Sequence, residues 1–161
     1  MDERLKYKFF LIQTLGATLA CYFISIVCDV FRVLYVNAFT ESNYSFFVIF
    51  QGYINDDASS VQKWEAYIFS PILETLFFQV FLVFILEKKI NRQWLIAIFI
   101  SFVFGYAHTY RFSTIAAICI GISVLPITLA YIHGTKRIGR KLSAFSAMIA
   151  HSLLNFLFSA Y

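Results

Sequence analysis

The sequence predicts an all-α membrane protein: a polytopic helix bundle of about five transmembrane helices forming a single domain over 1–161. Three observations predict it. Of the 161 residues, 60% are hydrophobic and only 14% charged, against about 25% charged in soluble domains. The apolar residues fall into five stretches, 9–28, 66–86, 93–110, 113–132 and 142–161. Each is long enough, at about 1.5 Å per residue, to cross or nearly cross the roughly 30 Å hydrocarbon core. The net charge of +4 comes from basic residues in short clusters between these stretches. They do not line one face with interleaved aromatics, so no nucleic-acid partner is expected.

The first stretch follows Arg4, Lys6 and Lys8. Basic then apolar, it is similar to a secretory signal, and Leu19-Ala20-Cys21 faintly resembles a lipoprotein cleavage box. The apolar run continues through Ile26, however, and position 18 is Thr rather than aliphatic, so an uncleaved first span is expected. Asp29 and Arg32, three apart near its outer end, are expected to pair locally on one helix face. In the following segment, Tyr44 to Phe50 is apolar but too short to span. It reads as an interfacial or re-entrant piece, bounded by Gly52 and an Asn55-Asp56-Asp57 turn, and Trp64 and Tyr67 mark the headgroup level before the second span.

Pro71 suits an early helical position, which would place Glu74 about one turn inside the helix beginning there. The third span is the shortest. Ser101 and Gly105 in it, and Ala117 and Gly121 in the fourth, form small-xxx-small pairs that let helix backbones approach. Pro126 is expected to kink the fourth span. Lys88, Lys89 and Arg92 follow the second span, and Lys136, Arg137, Arg140 and Lys141 separate the fourth from the fifth. With the N-terminal trio, these clusters fall on one side if each span crosses once. The positive-inside rule then puts the N-terminus in the cytoplasm and the C-terminus outside. Cys21, Cys28 and Cys119 lie in apolar surroundings without metal-ligand spacing and are expected to act as small hydrophobes.

Within these stretches stand Glu74, Gln79, His108, His151 and Asn155. A charged side chain at mid-helix costs roughly 2.5–3.5 kcal/mol even on insertion scales, so such residues mark sites facing the bundle interior. The predicted topology brings Glu74, His108, His151 and Asn155 to similar depth in the outer half of the membrane. His151 and Asn155, four apart, share a helix face and could both donate hydrogen bonds to one oxygen. Glu74, among Ile72, Leu73, Leu76 and Phe77, could serve as a general base, with His108 sharing a water. A Glu–His pair that activates water beside a His–Asn pair that stabilises an oxyanion is minimal equipment for peptide-bond hydrolysis.

The run Pro71-Ile-Leu-Glu74-Thr75-Leu-Phe-Phe-Gln79, then Phe104-x-x-x-His108, then His151-x-x-x-Asn155, resembles the three ordered motifs of the CPBP family, the CAAX-protease and bacteriocin-processing group also called Abi. The resemblance covers about 95 residues from Ala66 onward. It implies an intramembrane endopeptidase in which Glu74 and His108 activate water while His151 and Asn155 form the oxyanion hole. Two positions depart from the family's usual Glu-Glu-x-x-x-Arg: Thr75 stands for the second Glu and Gln79 for the Arg. Both are expected to support the site or the substrate. Gln79 keeps hydrogen-bonding capacity but loses a fixed charge, and one carboxylate fewer partly compensates.

One Glu and two His could also ligate zinc. There is no H-E-x-x-H and Asn155 is a poor zinc ligand, so neither a metal nor another cofactor is expected. His133 and Arg111 read as interfacial residues. The expected partners are the lipid bilayer and a membrane-associated or lipidated peptide or protein substrate, and the expected location is a bacterial cell membrane. Two other classes stay open: a non-catalytic immunity or regulatory scaffold of the same architecture, and a small transporter or proton relay.

Overall fold

A computed structural model of the chain describes residues 2–39, 63–110 and 112–159. The expected interfacial piece at Tyr44–Phe50, the turn at Asn55-Asp56-Asp57 and Arg111 lie outside them. The described residues form five helices and no strand: α1 (Glu3–Phe39), α2 (Glu65–Leu86), α3 (Gln93–Ala107), α4 (Thr114–Arg137) and α5 (Arg140–Ser159). The all-α class expected from the apolar pattern is the one observed. Three helices, α1, α2 and α4, are long and apolar enough to cross a membrane. At 15 residues, α3 spans only about 22 Å. In α5, Arg140, Lys141, His151, Asn155 and four serines dilute the apolar content.

The centre is α4, with 56% of its most apolar window buried, against 33% in α1 and 28% in α2. Ser113 caps its N-terminus by accepting from the Ala116 N–H. Gly139, at φ 86° just beyond the Ile138 C-cap, ends it in a left-handed residue that only glycine adopts freely. Lys136 and Arg137 lie in its last turn, where cations complement the helix dipole. Around α4 pack α1, α3 and α5.

Small residues set the α3–α4 spacing. A Cβ on Gly105 would lie 2.6 Å from the Ala117 carbonyl oxygen, and one on Gly121 would lie 2.6 Å from that of Ser101. The two small-xxx-small pairs therefore face each other. On the other flank, a polar seam joins α1 to α5 and α4. Gln13 donates to Ser143 Oγ at 3.1 Å, Ser143 donates to the Tyr131 carbonyl at 2.8 Å, and the Thr14 and Ser146 hydroxyls are 2.8 Å apart. Gly134 leaves the room for it, since a Cβ there would collide with both Gln13 and Ser143. Such interhelical bonds contribute about 0.6–2 kcal/mol in a membrane. Asp29 and Arg32 pair at 3.7 Å, one turn apart on α1.

α2 lies mainly against α5. It buries Pro71, Thr75, Phe78, Gln79 and Val83 and exposes Leu73, Leu76, Phe77, Phe81 and Phe84, as expected of a peripheral helix facing lipid. Its hydrogen bonding is irregular: Glu65–Phe69 and Thr75–Leu82 are π-helical, and Ser70–Glu74 is a single α-helical stretch between them. The helix therefore does not begin at Pro71; a π-helical turn precedes it. Proline has no N–H and its ring crowds the carbonyl four residues back. The chain answers by widening that turn, and the Ser70 N–H donates five residues back, to Glu65.

Candidate active site

The π-helical turns on either side of Ser70–Glu74 place a short, displaced piece of backbone where the carboxylate emerges. Such bulges are frequent at functional sites. Ser70, one turn before Glu74, donates to Glu74 Oε1 at 2.5 Å. The other oxygen, Oε2, lies 3.5 Å from His151 Nε2 on α5. His151 is almost fully buried, whereas the Glu74 side chain is 24% exposed, so the carboxylate is the accessible member of the pair.

On its far side, His151 Nδ1 is 3.5 Å from the hydroxyl of Thr75, which is wholly buried. The imidazole is thus held between consecutive residues of α2. With Thr75 donating to Nδ1, the neutral ring carries its proton on Nε2, facing Glu74.

His108 enters differently. It is the C-cap of α3 rather than part of its body, and its Nδ1 is 2.7 Å from the Phe104 carbonyl. A carbonyl only accepts, so Nδ1 carries the proton and neutral His108 presents a lone pair on Nε2. The Phe104 ring packs against both imidazoles, with centroids 4.6 Å from His108 and 5.8 Å from His151. Phe78 meets Phe104 edge-on at 4.9 Å. Aromatic contacts thus bring the α3 imidazole to the α2–α5 junction.

Asn155, one turn along α5 from His151, donates through Nδ2 to the Ala66 carbonyl at 2.9 Å. Gln79 is fully buried and turned toward α4, with Nε2 donating to Thr128 Oγ1 at 3.4 Å. Glu74, Thr75 and His151 are thus brought together, His108 is joined to His151 through the Phe104 ring, Asn155 lies one turn away on an α2 carbonyl, and Gln79 reaches the central helix.

Sequence reasoning missed Ser70. The signal was there: a hydroxyl four residues before Glu74 shares its face in a helix. It also missed the Asn155–Ala66 contact, which depends on which turn of α2 meets α5. Among the described residues no group of three or more His, Cys, Asp and Glu side chains is gathered as a metal ion would need.

The family model described as Type II CAAX prenyl endopeptidase Rce1-like matches residues 58–157, a stretch that includes α2, α3, α4 and every residue of the site. Neither the curated proteins nor the solved structures provide a match. The long apolar helices and the matched region agree in kind, and the chain is an integral membrane protein that belongs to the Type II CAAX prenyl endopeptidase Rce1-like family of intramembrane proteases.

Proposed function

We propose that this chain is an endopeptidase that hydrolyses peptide bonds of membrane-associated or lipidated peptides and proteins with a water activated by Glu74 and His108. The single observation that carries the reading is the contact of the partly exposed Glu74 carboxylate with the buried His151 imidazole. A base that solvent can reach stands beside a fixed N–H donor, as hydrolysis of a planar amide requires.

In the forward step, water held by Glu74 and the Nε2 lone pair of His108 attacks the scissile carbonyl carbon and gives up a proton to the carboxylate. The carbonyl π electrons move to oxygen, and the tetrahedral oxyanion accepts from His151 Nε2–H. Collapse re-forms the C=O, breaks the C–N bond and passes the proton from Glu74 to the leaving amine, giving a carboxylic acid and a free amine. Ser70 holds Glu74 Oε1, leaving Oε2 for the reaction; Thr75 orients His151. Metal plays no part in this route. The clustering of basic residues supports a cytoplasmic N-terminus and an outer C-terminus, with the site toward the outer face.

Detergent-purified wild type, Glu74→Gln and His151→Ala, incubated with a fluorogenic peptide library with and without a zinc chelator, test the proposal. Chelator-resistant cleavage lost in both variants is expected. Chelator-sensitive cleavage overturns the metal-free mechanism. Absence of cleavage by folded wild type overturns the enzyme reading in favour of a regulatory or immunity scaffold.

A further inference from the structure

Where α1 starts, α4 stops and α5 starts, three helix ends bring cations together without carboxylates to match. On α1, Lys6 shares a face with Gln13, two turns on. Gln13 bonds Ser143 of α5 and lies against Gly134 of α4, so the half-buried Lys6 stands beneath the short α4–α5 turn. Aromatic contacts mark its two flanks. The Arg137 guanidinium lies over the Phe9 ring at 5.0 Å, and Phe10 stacks on Phe145 at 6.0 Å. α1 and α5 both run antiparallel to α4, hence parallel to each other. Lys6 precedes Phe10 by one turn and Lys141 precedes Phe145 by one turn, so the two lysines leave their helices at the same height, with exposed Lys136 and Arg137 beside them.

Among the described residues none of these four cations forms an ion pair, and the Glu87 carboxylate is taken by Arg140 at 2.9 Å. Asp2 and Glu3 are exposed at the start of α1, where Glu3 suits the helix dipole. The C-terminus of α4 offers about half a negative charge, and Lys141 opens α5 at the end where the dipole is positive. Like charges gathered at the edge of the hydrocarbon repel one another unless an anion lies between them. On the membrane side of the cations stand the Phe10 ring and Phe145, which is 56% exposed. An anion carrying an apolar body fits both halves, and basic corners between membrane helices take such headgroups. We propose that this corner binds one anionic phospholipid, with its phosphate held by Lys6, Arg137 and Lys141 and its acyl chains along Phe10 and Phe145. The lipid staples α1, which lies outside the region matched by the family, to α4 and α5. This binding is independent of the hydrolase reading.

The test titrates the detergent-purified full chain with phosphatidylglycerol and with phosphatidylcholine of the same acyl chains, reading bound lipid by native mass spectrometry and thermal unfolding by circular dichroism. Wild type is expected to hold one phosphatidylglycerol at least about tenfold more tightly than phosphatidylcholine. Each cation facing an anionic headgroup contributes roughly a fivefold factor, so Lys6→Gln with Lys141→Gln is expected to weaken phosphatidylglycerol about 25-fold. Lys89→Gln with Arg92→Gln removes the same charge from the α2–α3 turn and is expected to cost less than about threefold, because those residues lie outside the corner. Without lipid, the Lys6/Lys141 variant is expected to unfold no lower than wild type, since repulsion is relieved; a lower temperature assigns the lysines to the fold and overturns the proposal. Equal weakening by the two pairs, or equal binding of the two lipids, overturns it in favour of diffuse attraction to an anionic membrane. Inorganic phosphate that displaces phosphatidylglycerol and raises the unfolding temperature as far overturns the lipid as the ligand.

Discussion

His151 Nε2 on α5 stands 3.5 Å from Glu74 Oε2 on α2, while the other face of the same ring meets the Thr75 hydroxyl. One imidazole therefore reads two consecutive residues of a neighbouring helix. Successive residues of a regular α-helix point about 100° apart, so His151 sits in the angle between them.

Glu74→Gln keeps shape and hydrogen bonding but removes the base. Peptide cleavage is expected to fall about 10²–10⁴-fold in kcat, the range general-base catalysis contributes, with KM little changed. Steady-state kinetics on folded protein check it; near-wild-type turnover would remove Glu74 from the chemistry.

Thr75 occupies the position where the family pattern has a second Glu, and its proposed work is to orient His151. Thr75→Val is nearly isosteric and deletes only the hydroxyl, so kcat is expected to drop roughly 3–10-fold, in line with one neutral hydrogen bond. Thr75→Ser is expected to restore most of it. Equal losses in the two variants would point to packing alone.

Ser70 donates to the carboxylate at 2.5 Å, so it is either an orienting donor or a nucleophile. A donor to a charged group contributes about 1.5–3 kcal/mol, and Ser70→Ala is expected to slow turnover about 10- to 100-fold while leaving measurable hydrolysis. Mass spectrometry after rapid quenching should show no acyl group on Ser70. A trapped acyl-enzyme would replace the activated water with covalent catalysis.

The α3–α4 contact is built for glycine. Gly121→Val places its Cβ 2.6 Å from the Ser101 carbonyl oxygen, closer than real Cβ contacts come, and overpacking of this kind costs roughly 1–3 kcal/mol. Thermal unfolding in detergent should fall accordingly. Activity should fall with it, because α3 carries His108 and Phe104 to the site.

α1 lies outside the region matched by the family, yet it packs on α4 and α5. The Cys119 thiol reaches to 3.8 Å from the Cys28 carbonyl. A short bis-maleimide is expected to join these cysteines within one chain, so that α1 stays attached after cleavage at a protease site engineered at Asp56. Cys119→Ser should release it. Release from the native-cysteine protein would mean that α1 does not dock as described.

Much of this could be read along the chain. Low charge and long apolar runs imply helices, since a backbone in lipid must satisfy its hydrogen bonds within the segment. The facing pairs Ser101/Gly105 and Ala117/Gly121 were visible as spacing. So was the kinship of the site, because Glu74, His108 and His151 occur in a fixed order within apolar helices. Pro71 does stand at the start of the α-helical piece Ser70–Glu74, but nothing local shows that a π-helical turn, Glu65–Phe69, precedes it.

The residue types of the site and their order belong to the primary structure, because hydrophobic periodicity and the cost of burying polar groups act locally. The partners do not. Glu74 and His151 meet, Gln79 turns to Thr128, and Asn155 finds the Ala66 carbonyl, because Gly105 and Gly121 bring α3 close to α4 and the π-helical turns offset α2 against α5. Distances between side chains on different helices follow from how those helices pack, and packing is a property of the whole bundle.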